Sequence, residues 1–164
     1  MSYDLAVWEG RRPSNGADAA AEYEERMDAM ERALQGSDEP APPTAGIRAF
    51  VEEALARYPE LADDSGPECP WASAPLIEEA VGDFIYFPMT FSGAEYARDV
   101  IADIAHARGL VCFDPQVERL LPDVDAPSAS FIAQAAYAAT EDHFSTQRSP
   151  RQRRGWLARL LGRE

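Results

Sequence analysis

Two histidines, two cysteines and a scatter of carboxylates are the groups in this chain best suited to move protons, attack carbon or hold a metal. Their spacing decides what they could do. His106 falls one helical turn after Asp103, an arrangement in which a carboxylate can orient an imidazole for proton transfer. The same position, opposite the apolar stripe and near the helix C-terminus, equally suits a solvent-facing histidine whose cationic form meets the helix dipole. His143 has no partner at a catalytic spacing. Cys112 stands between Val111 and Phe113, where a thiol behaves as a small apolar side chain and stays protonated. Cys69, in Glu68-Cys69-Pro70-Trp71, has acidic neighbours, an environment in which a nucleophilic thiolate is not expected. Asp63, Asp64 and Glu68 offer oxygen ligands to a hard cation, but the loop lacks calcium-loop spacing and is stiffened by prolines, so a solvated acidic loop is expected. Asp114 closes a strand, where open α/β sheets often place functional groups, although Asp114-Pro115 is also a turn starter.

The motifs that bring such groups together are absent from the sequence. No GxxxxGK[ST] or GxGxxG cradles a phosphate, no GxSxG presents a nucleophile, and no HExxH or CxxC holds zinc. No cofactor and no metal are therefore expected, and an enzyme would need a pocket gathering Asp114, His106 or Cys69. Charge gives a different lead. Residues 1–147 carry 28 acids against 9 arginines, a balance of −19, while residues 148–164 carry 6 arginines and 1 acid, a balance of +5. An acidic body repels phosphate backbones, which excludes nucleic acid as its ligand and favours a basic protein partner. Among Trp8, Trp71, Tyr86, Phe87 and Phe91 most belong to the core, while Trp71 and Phe91 are the candidate anchors. With Asp63, Asp64 and Glu68 they would make a surface that captures a basic partner.

The tail is the most distinctive local pattern. On a helix Trp156, Leu157, Leu160 and Leu161 share a side, with Arg153, Arg154 and Arg159 in reach of an anionic surface. That composition suits docking to an anionic membrane or a partner groove; it also suits a frayed terminus, or a helix folded back on the acidic body. No stretch approaches a membrane-spanning length and Met1 to Trp8 holds no apolar leader, so a cytoplasmic protein is expected, peripheral at a membrane if the tail docks there.

The elements that position these groups follow from periodicity. Tyr3, Leu5 and Val7 alternate on one face of a first strand. Tyr23, Met27, Met30 and Leu34 make one stripe of a helix over 17–34, which Gly36 stops. Past a proline-rich linker, Thr44 caps a second helix whose Ile47, Phe50, Val51, Ala54, Leu55 and Tyr58 keep helical spacing. A loop over 63–74 leads to a short strand over 76–79 and an apolar strand over 84–87, expected to lie centrally. Ser92-Gly93-Ala94-Glu95 fits a capping box opening a helix with Ala97, Val100, Ile101 and Ile104 on its buried stripe. After Gly109, the run 110–113 is a further strand, which the crossover rule sets parallel to and beside the preceding one. An alanine-rich segment over 128–143 reads as a last helix. The expected class is α+β: a ferredoxin-like or split βαβ four-stranded sheet packed on one side by helices, in the order β-α-α-β-β-α-β. The core would span 1–122, the C-terminal helix 123–144, and the linker and basic tail 145–164.

Tyr3-Asp4-Leu5-Ala6-Val7-Trp8-Glu9-Gly10, Tyr86-Phe87-Pro88-Met89 and Gly109-Leu110-Val111-Cys112-Phe113-Asp114-Pro115-Gln116 resemble a set of small, uncharacterised actinobacterial proteins over roughly the first 120 residues. That resemblance implies a shared α/β body and no activity. The functional expectation is a non-enzymatic interaction protein, immunity or antitoxin-like, whose acidic face covers a basic partner. Its alternatives are an adaptor docking through the tail and a small-ligand binder or enzyme.

Overall fold

The computed structural model describes residues 2–36, 39–66 and 68–123. The first strand, β1 (Tyr3–Trp8), sets the arrangement, because Leu5, Ala6, Val7 and Trp8 are all fully buried. A strand apolar on both faces needs neighbours on both edges and cover above and below. It pairs antiparallel with β3 (Phe84–Met89) on one edge, Leu5 opposite Phe87 and Trp8 opposite Phe84. On the other edge it pairs antiparallel with β4 (Val111–Asp114), Ala6 opposite Phe113. Two short strands finish the sheet: β2 (Ala80–Val81) beside β3 and β5 (Arg119–Leu121) beside β4. The order is β2-β3-β1-β4-β5, antiparallel between all neighbours.

Strand pleating divides the side chains between two layers. Leu5, Val7, Ile85, Phe87, Met89 and Cys112 point to the face covered by α2 (Ala45–Arg57) and α3 (Phe91–Ala107). Ala6, Trp8, Phe84, Val111 and Phe113 point to the opposite face, where Ala19, Tyr23, Met27 and Met30 of α1 (Gly16–Gln35) meet them. Helices therefore cover both faces, which corrects the expectation of one. Leu34, the last residue of the α1 stripe, is 57% exposed. Thr44 caps α2 as expected, accepting from the Ile47 amide at 3.2 Å while donating to Glu9 at 2.8 Å.

Four further expectations are corrected. Leu76–Glu79 is a 3₁₀ turn, with the Glu78 amide bonded back to the Pro75 carbonyl, and the strand follows it at Ala80. The sheet has five strands, the fifth being β5. β3 and β4 run in the same direction but are not neighbours, because each pairs with β1; β3 is an interior strand, between β2 and β1, as expected. The α3 N-cap is Thr90, not Ser92: the Thr90 hydroxyl accepts from the Gly93 amide at 2.9 Å, so the Ser92–Glu95 capping box is not used. The helix expected over 128–143, His143, and the tail residues Arg153, Arg154, Trp156, Leu157, Arg159, Leu160 and Leu161 lie outside the described residues. Among the described residues no helix is long and apolar enough to cross a membrane.

Candidate functional site

The acidic loop forms one wall of a cleft of about 660 Å³ between the C-terminal end of α2 and the side of α3. Its lining joins Arg57, Tyr58, Pro59 and Glu60 to Ser65, Gly66, Glu68 and Cys69, with Tyr96 and Val100 opposite. The α2 periodicity carries Tyr58 to the helix end, where it is buried with the core and only its edge reaches the cleft. Trp71 fixes it there: the indole N–H donates to the Tyr58 carbonyl at 2.9 Å and the two rings meet edge to face at 6.4 Å. Tyr96 stands beside Tyr58 with centroids 5.9 Å apart and is 42% exposed. Burial, then the nearby Cys69, Tyr58 and Glu68, raise its phenol pKa, so the hydroxyl is neutral at physiological pH. Asp63, Asp64 and Glu68 are exposed on the loop, and among the described residues no arginine forms an ion pair with them.

Trp71 is not an exposed anchor. It is 1% exposed, packed edge to face on Phe87, and its backbone bridges to Met89 beside the sheet. The neighbouring Ala72 amide and Pro70 carbonyl bond to Pro88 and Thr90, which draws the indole into the core. Phe91 is 50% exposed, as an anchor would be, yet it lines a different and smaller hollow of about 350 Å³ with Tyr3, Ala94, Glu95, Arg98 and Asp99. The five residues expected to make one surface thus divide: Glu68 lines the cleft, Asp63 and Asp64 are exposed on the same loop outside its lining, Phe91 is at a second hollow, and Trp71 is buried.

Asp114, Cys69 and His106 do not gather into one pocket. Asp114 is the one buried charged residue among those described. It accepts hydrogen bonds from the Tyr3 hydroxyl and, at 3.0 Å, from the Gln116 amide, and Arg98 lies 3.7 Å away. Arg98 also donates to the Tyr3 oxygen at 3.3 Å, and its bonds to Tyr3 and Asp99 hold its pKa above the usual range. This cluster ties the end of β4 to the start of β1 and to α3; the carboxylate is enclosed by its partners. Cys69 is half-buried in the cleft with its sulfur 3.8 Å from the Pro59 carbonyl. His106 is exposed in the last turn of α3 and lines neither hollow. Among the described residues no group of three or more His, Cys, Asp or Glu side chains is placed to hold a metal ion.

A search of protein families, of curated proteins and of solved structures finds no match to this chain. What the cleft can do is therefore argued from its own side chains. Sequence spacing assigns no functional role to Tyr96 or Arg57 and gives Tyr58 only a core position. The available signal is Tyr96 itself, an aromatic one residue before the buried Ala97 and so beside, not within, the stripe of α3.

A larger cleft, about 770 Å³, lies between α1 and the β2–β3 turn, with Asp18, Glu22, Glu25 and Asp83 around Arg26. Arg26 pairs there with Glu22 at 2.9 Å and with Asp83 at 3.0 Å, and its guanidinium covers the Trp8 ring at 5.5 Å. The acids of that cleft hold Arg26 in ion pairs, whereas Arg57, the cation lining the smaller cleft, stacks on Tyr58 and among the described residues pairs with none of Asp63, Asp64 and Glu68.

Proposed function

We propose that this chain is a non-enzymatic protein-interaction factor, of immunity or antitoxin-like type, whose acidic surface binds a basic partner. The observation that carries the reading is the composition of the 660 Å³ cleft: two tyrosine rings beside Glu60 and Glu68, next to exposed Asp63 and Asp64 that no described arginine neutralises. Aromatic rings supply rigid contact area at low entropic cost, and unpaired acids supply attraction and orientation. Among the described residues Arg26, Arg98, Arg108 and Arg119 are engaged in ion pairs within the molecule and so do not offset the surplus of acids elsewhere. The split βαβ form of the fold belongs to the same proposal, supported by α3 connecting β3 to β4 across β1.

The test is affinity capture from an extract of the source cells, with the full chain and with a chain carrying Asp63→Asn and Asp64→Asn as baits. The expected captured protein is basic, elutes when salt is raised to roughly 0.5 M, and is depleted on the variant bait, because contacts among exposed charges are screened over about 10 Å or less. Retention that neither salt nor the substitutions change overturns the reading.

A further inference from the structure

We infer that the Tyr58–Tyr96 cleft is a subsite for a guanidinium group, taking an arginine side chain of the basic partner; the inference rests on the function proposed above. The cleft is built for a planar cation in three respects. First, its aromatic wall is rigid. Trp71 backs Tyr58 through one hydrogen bond and an edge-to-face contact, and the Tyr58 hydroxyl lies 3.5 Å from the Tyr96 carbonyl. The Tyr96 ring is inclined 60° to Tyr58, and the residue is exposed. Second, the chain itself demonstrates the contact. The Arg57 guanidinium lies over the buried Tyr58 ring, 4.6 Å from its centroid, so Tyr58 is already occupied and the neighbouring, exposed Tyr96 is the ring left for a second planar cation.

Third, the carboxylates sit where the head group would need them. Glu60 is held in place by the Leu76 amide, which donates to it at 2.8 Å, and Glu68 lines the same cleft as Tyr96. A guanidinium can lie flat on the Tyr96 ring and still present parallel N–H groups to a carboxylate at its edge. An ammonium reaches the same carboxylate only as a point charge and keeps more of its hydration. Glu60 and Glu68 outnumber Arg57 in the lining, so an anion meets net repulsion, and a neutral apolar group would strip water from both acids without replacing its hydrogen bonds. Arginine is the side chain that satisfies the rings and the acids together.

The full chain is titrated by calorimetry with an oligo-arginine and an oligo-lysine peptide of equal length, alongside Tyr96→Leu, Glu68→Gln and the Asp63→Asn/Asp64→Asn double variant. Tyr96 and Glu68 are exposed, and thermal melts establish that each variant folds; should Tyr96→Leu not fold, Glu68→Gln carries the test. The expected result is tighter binding of oligo-arginine by about twofold to fivefold, the range of an exposed cation–ring contact. That preference disappears in Tyr96→Leu and in Glu68→Gln, whereas the double variant weakens both peptides alike. Equal binding of the two peptides, unaffected by Tyr96→Leu or Glu68→Gln, overturns the guanidinium subsite and leaves the acidic-surface reading standing. Failure of both peptides to bind at low salt overturns both readings.

Discussion

The two thiols illustrate how far residue type and neighbours alone determine chemistry. Cys112 lies in β4 with its side chain fully buried, and burial pushes its thiol up to about 12 from the ordinary 9.0. The sequence already implies this result, since a cysteine between Val111 and Phe113 has no water to solvate a thiolate. In the unfolded chain the thiol ionises near pH 9, while in the native chain it stays protonated. The native state binds the proton more tightly, so this contribution to stability is complete below pH 9 and is lost as the pH climbs toward 12. Denaturant titrations across that window should show Cys112→Val losing less stability than the parent protein. Equal losses would mean that the thiol does not titrate against folding. Asp114 is less legible: its place at a strand end follows from sequence, but its partners do not, because Tyr3 and Arg98 come from β1 and α3, far away in sequence. Nothing in local spacing announces a contact made by the meeting of three elements.

Elements with an uninterrupted period are legible in the sequence, and those defined by pairing are not. The stripe Ile47-Phe50-Val51-Ala54 and the threonine cap before it are reproduced in α2, because amphipathic spacing and capping are local. β5 escapes notice because three residues are too few to display a period, and Leu76–Glu79 because an apolar pair followed by acids fits a strand or a 3₁₀ turn equally well. The placement of β1 between β3 and β4 has a signal, the four consecutive apolar residues Leu5 to Trp8, but the alternation of Tyr3, Leu5 and Val7 competes with it. The α3 cap shows competition between two local signals, and the close approach of the 70–72 segment explains the outcome. A Cβ built on Gly93 would lie 2.5 Å from the Pro70 Cα and 2.7 Å from the Thr90 hydroxyl oxygen. Alanine is the better helix former by about 1 kcal/mol, yet here it would have to displace backbone. Gly93→Ala should therefore lose about 1–3 kcal/mol in chemical denaturation, the cost of forcing extra volume into a packed site. Gly66→Ala, with no atom within 4 Å of the added carbon, serves as the control. A Gly93→Ala protein at least as stable as its parent would show that the α3 terminus is not pinned by Pro70.

At the scale of the molecule, electrostatics is governed by a formal charge of −14 on 164 residues. Such an excess keeps copies apart and steers a cation inward, and it also works against the compact state through self-repulsion. Asp63 and Asp64 concentrate the effect, being adjacent, exposed and outside every ion pair found among the described residues. A fold selected for stability alone gains nothing by leaving such a pair unneutralised, whereas a surface that must attract a basic partner loses its steering without them. The two demands separate under salt. Added sodium chloride should raise the melting temperature by about 2–4 °C between roughly 0.01 and 0.5 M, as the screening length shrinks below the spacing of surface acids. The Asp63→Asn/Asp64→Asn protein should melt about 1–2 °C higher than its parent at the low end and should coincide with it at the high end. It should also bind the basic partner more weakly, so that stability and association move in opposite directions. A double variant less stable than the parent at low salt would instead mean that these carboxylates support the loop, and the case for their attracting a partner would then have to rest on Glu60 and Glu68 alone.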